Sequence, residues 1–190
     1  MGRFYREGEE IKNESFAGRP FPAGDYESCV FSCCDFSGSD LSHCNFIDCA
    51  FESSNLSLTK TGQASFRDVE FRNCKILGLR FDDCNSLTMS VKFSGCQISV
   101  ASFAGLKLRK TLFSNSEIVE TDFSGADLSG SVFDDCDLSR SEFRGCNLEG
   151  ADFSKAHGFI IDPEANRIKN ARFSLQGLPG LLARYDIVVE

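Results

Sequence analysis

"ADLSGSVFDDCDLSRSEFRGCNLEGADF", Ala126–Phe153, decides the fold. Within it Leu128, Phe133, Leu138, Phe143, Leu148 and Phe153 stand five residues apart. Two positions before each stands a small residue: Ala126, Ser131, Cys136, Ser141, Cys146 and Ala151. An amphipathic helix needs apolar residues three and four apart, and a half-buried strand needs alternation. A period of five satisfies neither, and an internal repeat outranks any local propensity in naming the architecture.

The register extends upstream. Its large central residues run Phe93, Ile98, Phe103, Leu108, Phe113, Ile118 and Phe123 into the quoted stretch. An earlier register runs from Phe16, Phe21, Tyr26 and Phe31 to Phe81. The step from Phe81 to Phe93 exceeds two repeats by two residues, which predicts a small bulge in "CNSLTMSVK", near 85–91. Thr61, in "LTKTGQAS", is a weak centre with no change of length.

A chain that turns a corner every five residues explains the pattern. Each side offers one large and one small residue inward and three polar ones outward. Four sides close a square coil of about 20 residues, and coils stack at roughly 4.8 Å with their backbones paired. About 28 sides make about seven coils and a rod of roughly 33 Å. Residues one coil apart then stack. Phe93, Phe113, Phe133 and Phe153 form one predicted column, Phe103, Phe123 and Phe143 a second, and Leu108, Leu128 and Leu148 a third.

Composition narrows the function. The chain has 190 residues, 28 acidic against 20 basic, and a formal net charge of -8. A general nucleic-acid binder would show a basic face, so direct nucleic-acid binding is not expected. No apolar run approaches the roughly 18 residues of a membrane helix. "MGRFYREGEE" has no apolar run after its charges, so no signal peptide is read and a cytoplasmic address is expected. The 10 cysteines would then be reduced. All but Cys33 fall in the small-residue slot, where thiols suit packing better than metal or a bridge. His43 and His157 lie far apart on outward positions, without a recognisable ligand set. No nucleophile elbow or phosphate loop is present, and a filled rod offers no reaction pocket. No enzyme activity, cofactor or metal is expected.

The acids cluster. Thr111–Ser139 holds seven and no Lys or Arg: Glu117, Glu120, Asp122, Asp127, Asp134, Asp135 and Asp137. One-coil stacking places Glu117 over Asp137, Asp122 over Glu142, and Glu120 over Arg140. Two readings remain open: a solvated face that keeps the rod soluble, or a surface for a DNA-binding protein. The C-terminal "LPGLLARYDIVVE" predicts a short helix with Leu178, Leu181, Leu182 and Tyr185, then a strand at Ile187, Val188 and Val189. It caps the last coil or joins two rods in a two-fold dimer. The chain therefore divides into an N-terminal segment (1–13), the repeat region (14–157) and a cap and dimerisation segment (158–190).

"ADLSG", "CNLEG", "ADFSK" and "CDLSR" resemble the A(D/N)LXX motif of the pentapeptide-repeat family, over residues 14 to about 157. The resemblance implies an all-β, right-handed quadrilateral β-helix. "FSKAHGFIIDPEANRIKNARF" and the C-terminal tail are similar to the branch holding the quinolone-resistance (Qnr), mycobacterial fluoroquinolone-resistance and microcin-immunity proteins. That branch implies an acidic rod that imitates duplex DNA, engages DNA gyrase or topoisomerase IV, and dimerises end to end through its C-terminus. The large projecting loops of some Qnr proteins are absent here. A general interaction scaffold with another partner is the alternative.

Overall fold

The computed structural model describes residues 4–188 and is a right-handed quadrilateral β-solenoid of about eight turns with a short C-terminal helix. Its four faces can be numbered by their central residues. Face 1 carries Tyr26, Phe46, Phe66, Leu108, Leu128 and Leu148. Face 2 runs Ile11, Phe31, Phe51, Phe71, Phe93, Phe113, Phe133, Phe153 and Phe173, in one nine-stranded parallel sheet. Face 3 carries Phe36, Leu56, Ile76, Ile98, Ile118 and Leu138. Face 4 carries Phe21, Leu41, Thr61, Phe81, Phe103, Phe123, Phe143 and Ile161.

The predicted columns form. Phe93 stacks on Phe113 at 5.2 Å, and Phe133 on Phe153 at 4.7 Å. Phe103 and Phe123 stack at 5.2 Å. Rings of neighbouring columns meet edge to face, as Phe93 and Phe103 do at 84°. This combination of parallel stacking along the rod and perpendicular contact across it suits the ring quadrupole. Leu108, Leu128 and Leu148 are buried in the third column. Thr61 also points inward, and its hydroxyl donates to the Arg80 carbonyl at 2.7 Å.

The small slot has a polar duty beside its packing one. Ser131 Oγ donates to the Leu108 carbonyl at 2.6 Å, and Ser141 Oγ to that of Ile118 at 2.7 Å. Cysteine thiols do the same: Cys146 Sγ lies 3.1 Å from the Phe123 carbonyl and Cys74 Sγ 3.2 Å from that of Phe51. Small residues that are also donors fit where a slot faces a carbonyl of the preceding coil, although the buried Ser39 Oγ finds no partner among the described residues. All ten cysteines are free, and every one but Cys33 is buried.

Corners need backbone that turns left. The second residue after most centres has positive φ, as in Asp48 (53°), Asn73 (52°), Asp135 (53°) and Gly130 (66°). Asn, Asp and Gly tolerate this region best.

The predicted two-residue insertion is present. Face 2 pairs Phe71 with Phe93, and the extra length is taken up by two short 3-10 turns at Phe81–Asp83 and Ser86–Thr88. The solenoid is longer than the expected seven coils at both ends. Phe4–Glu7 and Glu10–Lys12 pair with Gly24–Glu27 and Val30–Ser32. Downstream, Glu142 and Phe143 pair with Ile160 and Ile161, then Asn147 with Arg167 and Phe153 with Phe173. Pro163 therefore interrupts one side without ending the coil. Phe159 and Ile161 fill the core where proline stands in the five-residue register. The helix Leu178–Leu182 and a 3-10 turn Ala183–Tyr185 follow. The expected terminal strand is not formed at Ile187 or Val188, which pair with no strand among the described residues, and Val189 lies outside the described residues.

Candidate partner-binding surface

The residue before each centre points outward, and aspartate there has a structural task. Asp122 Oδ1 accepts the Ser124 N–H at 2.8 Å, Asp127 Oδ1 that of Ser129 at 3.2 Å, and Asp137 Oδ1 that of Ser139 at 2.9 Å. Asparagine substitutes directly: Asn55 Oδ1 accepts the Ser57 N–H at 3.1 Å. This local turn explains why the repeat prefers Asp or Asn at that position. Side-chain and then backbone hydrogen bonds from Ser37, Ser42 and Ser154 hold the carboxyls of Asp35, Asp40 and Asp152 below the usual range. Partial burial opposes ionisation at Asp137, and the hydrogen bonds from Ser139 outweigh it, so its pKa is also lowered.

The eight acids singled out in the sequence do not share one face. Glu117 and Asp137 occupy successive rungs of face 3, and Asp122 and Glu142 successive rungs of face 4. Glu120 sits at the corner between those faces, ion-paired with Arg140 at 2.7 Å. Asp127 is on face 1, 2.6 Å from Arg109 Nε. Asp134 is on face 2, 2.8 Å from Lys155 Nζ, and Asp135 is at the corner that follows. His157 Nδ1 lies 3.6 Å from Asp137. Glu117, Asp122 and Glu142 have no ion-pair partner among the described residues. An acidic patch thus survives on faces 3 and 4, made of Glu117, Asp122, Asp137 and Glu142. The other acids are dispersed, largely against bases.

The C-terminal segment folds over the last coil. The helix contacts the Ile160–Ile161 strand, and a Cβ at Gly180 would run into the Phe159 carbonyl. Leu181 packs on the core and Leu182 is half-buried. Arg184 ties the segment to Asp162 at 2.8 Å, and Tyr185 Oη donates to Glu164 at 3.0 Å. Leu178, Tyr185, Ile187 and Val188 remain exposed on the single chain.

Among the described residues no cluster of His, Cys, Asp and Glu could hold a metal, and no helix is long and apolar enough to cross a membrane. A recess of about 610 Å³ opens at the N-terminal end, floored by Ile11, Phe16, Phe21 and Tyr26.

These features define a β-solenoid built from five-residue repeats, with an apolar, ring-stacked core and a charge-patterned surface. The chain belongs to the pentapeptide repeat family: the pentapeptide repeat region matches residues 25–103 and 86–173. Among solved structures it is similar to trypsin-treated QnrB1, a plasmid-mediated fluoroquinolone resistance protein. One treated variant superposes with a TM-score of 0.62 at 22% identity over 100% of both chains. A second gives 0.54 at 23%, covering 99% and 98%. HetL, a pentapeptide repeat protein involved in heterocyst differentiation regulation from the cyanobacterium Nostoc sp. strain PCC 7120, gives 0.51 at 12%, covering 90% and 86%. At these identities the likeness is one of fold. No curated protein matches the chain by sequence.

Proposed function

We propose that the protein is a non-enzymatic, Qnr-type rod that binds a type II topoisomerase, gyrase or topoisomerase IV, by imitating DNA. In this reading it modulates the enzyme or shields it from quinolones or toxins. The observation that carries the proposal is the pair of acid-on-acid rungs, Glu117 with Asp137 and Asp122 with Glu142. Like charges one coil apart oppose folding slightly, by a few tenths to about 1 kcal/mol per pair. A rod that keeps them gains something outside its own stability. Their spacing of about 4.8 Å along the axis is of the order of the 3.4 Å between charges on one DNA strand. The exposed Leu178, Tyr185, Ile187 and Val188 support an end-to-end dimer, which doubles the length of the imitation.

The test is a gyrase supercoiling assay with and without a fluoroquinolone. Asp122→Asn and Asp137→Asn remove charge while keeping the turn hydrogen bonds, as Asn55 shows; Glu117→Gln and Glu142→Gln complete the set. Inhibition or drug protection by the parent chain, lost in the four-fold neutral variant with unchanged melting, supports the reading. An effect of equal size in both sinks it. The neutralised acids of faces 1 and 2, Asp127 with Arg109 and Asp134 with Lys155, favour a second reading, a scaffold for an unrelated protein. There gyrase would ignore the parent chain as well.

A further inference from the structure

Face 3 is self-complementary about a single rung. Its first outward column reads, coil by coil, Asp35, Asn55, Lys75, Gln97, Glu117, Asp137 and His157, each bridged to the next. The parallel outward column includes Leu77, Ser99 and Val119 on three paired strands, Lys75–Leu77, Gln97–Ser99 and Glu117–Val119. Gln97 and Ser99 lie at the centre of both columns. One rung to either side stand opposite charges, Lys75 and Glu117, and apolar partners, Leu77 and Val119. Two rungs out stand Asn55 and Asp137, an amide donor and an acceptor. Three rungs out stand Asp35 and His157.

A two-fold axis through the Gln97 rung, in the plane of the face and across the rod, makes each of these meet its complement. Lys75 opposes Glu117 of the second copy, Leu77 opposes Val119, Asn55 opposes Asp137, and Asp35 opposes His157. Gln97 meets its own copy, and an amide is both donor and acceptor. Such a palindrome is what an isologous contact requires, since one patch must fit itself. No like charge opposes another along the column.

A second observation concerns the apolar side chains beside this rung. Val100, at the corner beside Ser99, has φ 53° and is 56% exposed. A β-branched residue in left-handed backbone is an outlier, and Gly78 fills the same corner one coil away. Val100 accepts that conformation without core burial in the single chain. Leu77, one coil below, is also exposed. A neighbour outside the rod would bury the apolar surface that both leave open.

We propose that two copies of this chain pack laterally and antiparallel through face 3, with the axis at Gln97. The contact is distinct from the end-to-end pairing of C-terminal segments and does not depend on the topoisomerase reading. It covers Glu117 and Asp137, so it competes with any partner that reads those acids.

Sedimentation equilibrium of the full chain tests the contact. Association rises with concentration in the parent protein. It falls at least tenfold in Lys75→Glu, which places Glu against Glu117, and in Glu117→Lys. The double variant Lys75→Glu/Glu117→Lys restores it, which no general loss of folding can mimic. Val100→Asn weakens association while raising the melting temperature. In a Cys33→Ser background, Gln97→Cys cross-links two chains under diamide, whereas Ser129→Cys on face 1 does not. Any of these outcomes overturns the proposal: a monomer at every concentration, charge variants that associate like the parent, or a double variant that stays dissociated. Association abolished by Ile187→Asp and indifferent to Lys75→Glu assigns the dimer to the C-terminus and also overturns it.

Discussion

Phe113 and Phe133, twenty positions apart in the chain, lie ring on ring at 4.8 Å with an interplanar angle of 0°. Each ring is fully enclosed between the coils above and below and the perpendicular rings of face 4. Phe133→Ala leaves a cavity that the stacked coils cannot close without moving their paired backbones. The expected loss is about 3–5 kcal/mol. Urea unfolding by circular dichroism measures it, and Phe133→Leu should cost less than half as much.

The small slot separates packing from hydrogen bonding. Ser131 Oγ donates to the Leu108 carbonyl and accepts the Thr111 N–H at 3.2 Å. Ser131→Ala removes both bonds inside the core and is expected to cost about 1–3 kcal/mol. Ser131→Cys keeps the volume and the weak donor that Cys146 uses in the same slot. Its cost should stay within about 1 kcal/mol.

Thiol reactivity should be confined to one site. Burial pushes the Cys49, Cys136 and Cys146 thiols up to about 11 and that of Cys84 to about 12. The thiolate is the reactive form. At pH 8 the folded chain is expected to react with a disulfide reagent once, at exposed Cys33, and with ten equivalents only after unfolding. A Cys33→Ser variant with no native reactivity confirms the assignment.

Acid should loosen the turns. Hydrogen bonds from Ser37, Ser42 and Ser154 lower the carboxyl pKa values of Asp35, Asp40 and Asp152 on folding. The stability they contribute is present above the unfolded carboxyl pKa, about 3.9. It is lost as pH falls through the lower folded values. The triple variant Asp35→Asn/Asp40→Asn/Asp152→Asn keeps the turns and removes the titration. Its melting temperature should fall less steeply than the parent's as the pH drops from neutral to acid.

The architecture was legible in the chain because its signal is short-range and repeated. A large residue every five positions, with a small one two before it, can be buried only by a corner after each side. Stacking at twenty residues follows from four sides. That placed Phe93 over Phe113 and Phe103 over Phe123. It also located the two-residue insertion, since any change of length shifts every later centre. The slot's second use, a donor aimed at the preceding coil's carbonyl, showed in its Ser, Thr and Cys but acquires meaning only when the coils are stacked.

What the tertiary structure decided is which residues share a face. In a coil, neighbours along the chain wind away from one another, so the acidic run Thr111–Ser139 visits all four faces. Asp127 and Asp134 reach Arg109 and Lys155, one coil away. Glu117 and Asp137 come together on face 3, although a whole turn of chain separates them. The ends show the same division. Leu181 reads like Leu178 in sequence, yet one packs on the core while the other stays exposed, because Phe159 and Ile161 leave room for only one side of the helix.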